Sequence, residues 1–113
     1  MHGEDLRMQW PKQRGWGWYA TLIRTPWFCL KLLRFKPYGA LSMQRHAYRT
    51  EVWWFIRGRG GFKSGDATGW MLPRSIWKIQ KDVWHKFNAQ YQPIYVIELQ
   101  YGRKVTENDI ERK

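Results

Sequence analysis

An all-β sandwich or barrel is the fold class this sequence predicts, and two observations predict it. Short runs rich in aromatic and β-branched residues recur along the chain: WYATLI (18–23), WFCLKLLRF (27–35), EVWWFI (51–56), TGWML (68–72), SIWKIQ (75–80) and PIYVIELQ (93–100). Between them stand KPYG, RGRGG, SGD, LPR and NAQYQP, whose Gly, Pro, Asn and Asp residues suit turns. At 113 residues the chain is long enough for one core and too short for two ordinary domains.

Taken in order, residues 1–13 read as an N-terminal arm or lead-in strand and 14–113 as the domain itself. Arg14-Gly15-Trp16-Gly17 is a turn whose two glycines can take positive φ. Gly58-Arg59-Gly60-Gly61, flanked by strands, reads as a hairpin turn in preference to an RNA-binding RGG element. Near the end, Thr106-Glu107-Asn108-Asp109 has the pattern of a helix start with Thr106 as N-cap, so a short C-terminal helix is expected.

The charge balance stands out: 20 Lys plus Arg against 9 Asp plus Glu, a net charge of +11. That favours anionic partners, whether a phosphorylated metabolite, an acidic protein, nucleic acid or an anionic membrane surface, without choosing among them. The cations never form a long block, so no nucleic-acid arm is read from them. Cys29 is the single cysteine, which excludes an internal disulfide and a cysteine-built zinc site, and fits a cytoplasmic setting. The polar N-terminus shows no secretory signal, and the most apolar segment is interrupted by Lys31 and Arg34, so no membrane insertion is expected. Of nine tryptophans, Trp16, Trp53 and Trp54 read as core fillers. Trp10, Trp18, Trp27, Trp70, Trp77 and Trp84 read as surplus that leaves an aromatic, cationic surface for a second copy of the chain or another partner.

The stretch LSMQRHAYRTEVWWFIRG (41–58) carries the chemistry. On a strand Gln44, His46 and Tyr48 share one face. Glu51 lies at an odd offset from His46 and joins them only if a turn or bulge intervenes near Arg49-Thr50. A second imidazole is available at His85. Two His, one Glu and one Gln amide suit a single divalent ion such as Zn, Mn, Fe, Co or Ni.

The spacing Pro37-Tyr38-Gly39, Gln44-x-His46-x4-Glu51-x6-Gly58, with His85 and Asn88 later, resembles the two metal motifs of cupins. Arg14-Gly15-Trp16-Gly17, Leu41-Ser42-Met43-Gln44-Arg45-His46, Arg49-Thr50-Glu51-Val52-Trp53, Ile97-Glu98-Leu99-Gln100-Tyr101-Gly102 and Glu107-Asn108-Asp109-Ile110-Glu111-Arg112 narrow the likeness. Together they resemble the C-terminal cupin of bifunctional mannose-1-phosphate guanylyltransferase/mannose-6-phosphate isomerase, over about residues 14–112. The resemblance implies a jelly-roll β-barrel with one divalent metal ion on Gln44, His46, Glu51 and His85. It implies interconversion of mannose 6-phosphate and fructose 6-phosphate, with Lys31 and Arg49 in phosphate-holding or acid/base roles.

Departures from the family pattern are Leu32, where a second cation follows the lysine, with Arg34 as a spatial substitute; Tyr48 in place of a His; and Gln80 and Asp82 in place of Pro and Gly. The alternative expectation is a non-catalytic cupin-fold protein whose basic, Trp-rich surface binds or inhibits an acidic protein or binds nucleic acid.

Overall fold

The computed structural model describes residues 11–113, so most of the N-terminal arm, with His2 and Trp10, lies outside the described residues. Eleven strands follow one another: β1 (Lys12–Arg14), β2 (Gly17–Arg24), β3 (Phe28–Phe35), β4 (Ala40–Arg45), β5 (Arg49–Arg57), β6 (Gly60–Ser64), β7 (Ala67–Met71), β8 (Ile76–Ile79), β9 (His85–Ala89), β10 (Ile94–Gly102) and β11 (Glu111–Arg112). They build a six-stranded sheet in the order β1-β2-β3-β10-β5-β8 and a five-stranded sheet in the order β11-β4-β9-β6-β7, antiparallel throughout. The two sheets face each other as the walls of a jelly roll, and alternation along each strand sends every second side chain inward.

The inward row changes character at one level across three neighbouring strands. Phe35 and Leu33 give way to Lys31 on β3, Phe55 and Trp53 to Glu51 and Arg49 on β5, and Ile94 and Val96 to Glu98 and Gln100 on β10. Register aligns these switches, because Glu98 pairs with both Lys31 and Trp53, and Gln100 with Glu51. The barrel therefore has an apolar end and a polar end.

Aromatic rings fill the apolar end. Phe35, Trp53, Phe55 and Phe87 contact one another at centroid separations of 5.0–6.1 Å, in tilted or edge-to-face pairs that suit the ring quadrupoles. Trp77 joins them and is buried, contrary to its expected place on the surface. Trp54, expected in the core, points out, because it neighbours the inward Trp53 and the strand period is two.

Three local expectations are corrected. Among the described residues there is no helix: Thr106–Asp109 is a turn, and the Asp109 carboxylate accepts from the backbone N–H groups of Ala47 (2.7 Å) and Tyr48 (2.9 Å). With that side chain committed to another loop, the chain turns at Asn108 and adds β11 to the edge of β4. The Gly58-Arg59-Gly60-Gly61 stretch is not a hairpin turn: β5 and β6 lie in different sheets, the chain crosses between them at Gly58-Arg59, and Gly60-Gly61 already open β6. Gly58 stands at φ 87°, which a side chain would strain. The break between His46 and Glu51 falls at residues 46–48, earlier than expected, and leaves Tyr48 exposed beside Arg103 and Lys104 in place of sharing the Gln44 face.

Candidate metal centre

Four strands converge at the polar end. β4 delivers Gln44 and is followed directly by His46; β5 delivers Arg49 and Glu51; β9 opens with His85; β10 delivers Glu98 and Gln100. Gly39 precedes β4 at the corner remote from the cluster, where a Cβ would sit 2.3 Å from the Trp16 carbonyl oxygen, and the strand runs from there to Gln44. The loop before His85 keeps its shape without glycine, because Asp82 adopts φ 63° and its N–H donates to the His46 carbonyl.

His46, Glu51 and His85 are all buried, and one ligand atom from each lies within 4.8 Å of the others. The two imidazoles are oriented from behind. His46 Nδ1 donates to the Asp109 carbonyl (2.6 Å) and His85 Nδ1 to the Val83 carbonyl (3.0 Å). This leaves both Nε2 atoms inside, and neither has a hydrogen-bond partner. His46 Nε2 stands 3.0 Å from Glu51 Oε2 without the alignment of a hydrogen bond. Two buried lone pairs at that distance need a cation between them, either a proton or a metal. A donor set of two imidazoles and one carboxylate suits a divalent transition metal, so the residues present fit such an ion. Gln44 is buried at the same place, opposite His85 in the register, with its Nε2 donating to the Ser42 carbonyl (3.3 Å).

The charges around the cluster are set by neighbours. Burial works to raise the Glu51 pKa, but the His46 imidazole beside it and the Arg49 charge outweigh it and hold the carboxyl well below its usual range. Arg49 reaches Glu51 Oε2 with both Nε and Nη2 at 2.9 Å. Burial pushes His85 down, which keeps its imidazole neutral and ready to ligate. Glu98 behaves oppositely: burial and the Glu51 charge hold it well above the carboxylate range. Trp53 Nε1–H is shared between Glu51 Oε1 (3.0 Å) and Glu98 Oε2 (3.1 Å), and Gln100 Nε2 donates to Glu98 Oε1 (3.1 Å).

A cavity of about 340 Å³ reaches this cluster at Gln44 and Glu51, and is lined besides by the carboxylates of Glu98 and Glu107 and by four cations, Arg14, Lys31, Arg49 and Arg112. Lys31 is buried, bonds Glu107 at 2.8 Å and lies over the Tyr19 ring at 4.3 Å. Lys31 and Arg24 together hold the Glu107 pKa down at about 2, against its partial burial. Arg34 does not substitute for a missing cation here. It lies on the outward side of β3, where its Nε donates to Tyr95 Oη at 3.0 Å. Leu32 is outward as well, so a cation at that position would face away from the cavity.

Sequence reasoning left Glu98, Gln100, Glu107 and Asp109 without site roles. The first two carried a readable signal, since Val96, Glu98 and Gln100 share one strand face and pass from apolar to polar along it.

Comparison with known proteins agrees with this fold. The profile of the family described as "Mannose-6-phosphate isomerase C-terminal" matches residues 3–113. Curated relatives include the xanthan biosynthesis protein XanB of Xanthomonas campestris, 31% identical over 88% of this chain, and a mannose-1-phosphate guanylyltransferase of Klebsiella pneumoniae, also 31% identical over 88%. The chain spans 21% of the length of each. Among solved structures, oxalate decarboxylase from Bacillus subtilis superposes with a TM-score of 0.81 at 13% identity, covering 98% of this chain and 33% of that one. The cupin domain of Schizosaccharomyces pombe Cnp3 superposes with a TM-score of 0.73 at 8% identity, covering 75% and 64%. Both show the cupin fold.

Proposed function

This chain belongs to the family of mannose-6-phosphate isomerase C-terminal cupin domains, and from that premise we propose that it binds one divalent metal ion and acts on a phosphorylated hexose in the adjoining cavity. The observation that carries the reading is the pair of unpartnered Nε2 atoms on His46 and His85, turned toward an ionised Glu51 at the foot of a cation-lined cavity. His46, Glu51 and His85 would hold the ion, with the Gln44 amide beside them. When bound, the ion supplies Lewis acidity toward the carbonyl and neighbouring hydroxyl of the sugar.

The chain's own residues divide the remaining work. Arg49 is held to Glu51 by a hydrogen bond from Nε and an ion-pair contact from Nη2, and Lys31 is held to Glu107 by a hydrogen bond. They suit anion holding, with Arg14 and Arg112 completing a cationic wall for the phosphate. Glu98 forms no ion pair among the described residues and lines the same cavity; kept protonated by burial and the Glu51 charge, it would act as the acid of an aldose–ketose exchange, giving its proton to the carbonyl oxygen and regaining one from the neighbouring hydroxyl. Conversion of mannose 6-phosphate by metal-loaded protein, measured beside a His85→Gln variant, tests the proposal. Turnover that the variant loses supports it, and turnover no higher than in the variant refutes the catalytic part.

A second reading is a binding domain that keeps the metal without catalysis. The exposed Trp27, Trp70 and Tyr91 favour it, together with the cations that crowd Trp84 and Tyr48. Salt-sensitive retention of an acidic protein or nucleic acid by catalytically inert, metal-loaded protein would select this reading.

A further inference from the structure

Among the described residues, carboxylates are confined to one half of the barrel. Glu51, Glu98, Asp82 and Asp109 surround the metal centre, and Glu107 and Glu111 lie on the C-terminal segment beside it. Asp66 turns β6 into β7 at the same end, where the neighbouring Gly65 N–H donates to the Trp84 carbonyl (2.8 Å). The opposite, apolar end is closed by the loops 36–39, 58–59, 72–75 and 90–93, and these carry no carboxylate. They form one continuous surface: the Tyr38 N–H donates to the Gln90 carbonyl (2.7 Å), the Arg74 N–H to the Phe55 carbonyl (2.6 Å), and Gly58 packs against the Pro93 carbonyl oxygen. Lys36, Arg57, Arg59 and Arg74 are exposed on it, and none of them forms an ion pair among the described residues. Three rings stand out beside them, Tyr38 71%, Trp70 62% and Tyr91 63% exposed. Trp70 and Tyr91, with Arg59, Leu72 and Gln90, line a groove of about 450 Å³.

We propose that this end binds single-stranded nucleic acid, with one base in the groove between Trp70 and Tyr91 and the surrounding cations on the phosphates. The inference rests on the second reading above, which it deepens by giving that reading a site remote from the metal centre. Charge complementarity requires an anionic occupant, because four exposed cations without a carboxylate stand here on a chain of net charge +11. The rings choose among anions. An exposed Trp or Tyr stacks a base of any identity while a neighbouring cation meets the phosphate joined to it. Arg59 and Trp70 line the same groove, so one nucleotide can make both contacts. Three of the four cations are arginines, whose planar guanidinium both stacks and grips phosphate. An acidic peptide would engage the cations and leave the rings without partners. A duplex keeps its bases stacked on one another and offers the rings nothing. A free mononucleotide would fill the groove alone, whereas a strand continues over the adjoining Tyr38 and Lys36.

Fluorescence anisotropy of a dye-labelled single-stranded oligonucleotide of about ten nucleotides, titrated with the full chain at low salt, tests this. The expected result is saturable binding that weakens as salt rises, with a duplex of the same sequence bound about tenfold or more weakly. Trp70→Ala and Tyr91→Ala are each expected to raise the dissociation constant about fivefold or more, and Arg59→Ala to reduce the salt dependence by about one phosphate contact. All three side chains are exposed, so the variants are expected to fold. Trp54→Ala removes an exposed tryptophan from the outer face of the six-stranded sheet and is expected to leave binding unchanged. Absence of oligonucleotide binding at low salt overturns the proposal, and binding of labelled polyglutamate in its place reassigns this end to an acidic protein. Equal affinity for single strand and duplex, untouched by Trp70→Ala and Tyr91→Ala, overturns the site and leaves the second reading standing.

Discussion

Replacing Glu51 by Ala probes the polar end of the barrel most sharply, because one carboxylate serves three neighbours there. Glu51 is almost fully buried, accepts from Arg49 Nε at 2.9 Å, stands 2.9 Å from Arg49 Nη2, and accepts from Trp53 Nε1 at 3.0 Å. Its removal leaves the Arg49 guanidinium with one remaining partner, the Thr106 carbonyl at 2.8 Å, while Trp53 keeps Glu98. Stripping one member from a buried ion pair costs about 3–5 kcal/mol. Glu98 loses the like charge that helps hold it protonated and can then ionise to balance Arg49, so the lower end of that range, about 3 kcal/mol, is expected. The sign with pH follows from the direction of the Glu51 shift. A depressed carboxyl contributes stability that is fully present above the ordinary carboxylate pKa and lost as pH falls through the folded value, so the gap between wild type and variant closes in strong acid. Urea unfolding of chelator-treated proteins, followed by tryptophan fluorescence, measures the gap without a metal contribution. A difference under about 1 kcal/mol at neutral pH, or one that persists undiminished in acid, would refute the reasoning.

Further expectations concern the surroundings of the site. Asp109→Ala leaves the Ala47 and Tyr48 N–H groups unpaired and is expected to cost about 1–3 kcal/mol in urea unfolding and to weaken metal binding by loosening the loop that carries His46. Metal retention should fall with pH as protons compete for the imidazoles; burial lowers His85 from its ordinary value of 6.5, so half-release, read by elemental analysis after dialysis, is expected below that value. Lys31→Met is expected to weaken sugar-phosphate binding in calorimetry, whereas Arg34→Met, on the outward face, should leave it unchanged. Gly39→Ala drives a Cβ against the Trp16 carbonyl and should lower stability by about 2 kcal/mol or more, measured by thermal unfolding.

Much of the fold was legible because alternation is a local property. Runs such as EVWWFI and PIYVIELQ announce strands whatever they pack against, and the spacing of His46 and Glu51 points to a candidate cluster that the structure assembles with His85. What stayed hidden depends on contacts distant in the chain. Thr106–Asp109 has a helix-start sequence, but Asp109 spends its side chain on residues 47 and 48, some 60 positions earlier, and the helix does not form. Trp53 and Trp54 are the same residue type, and only the register of β5 against β10 and β8 decides which is inside. Lys31 and Arg34 differ in the same way: the cation three residues on lands on the opposite face. Sheet membership also escaped local reading, so the glycine-rich stretch after β5 reads as a hairpin turn although the chain crosses between sheets there and enters β6.

The central claim is that His46, Glu51 and His85 form one divalent-metal site at the polar end of the barrel. Calorimetric titration of stripped protein with a divalent transition-metal ion, beside a His46→Ala/His85→Ala double variant, tests it most directly. The account predicts one ion per wild-type chain, bound with release of protons, and none in the variant. Saturation at the same stoichiometry in both proteins, or no binding by folded wild type, would contradict it.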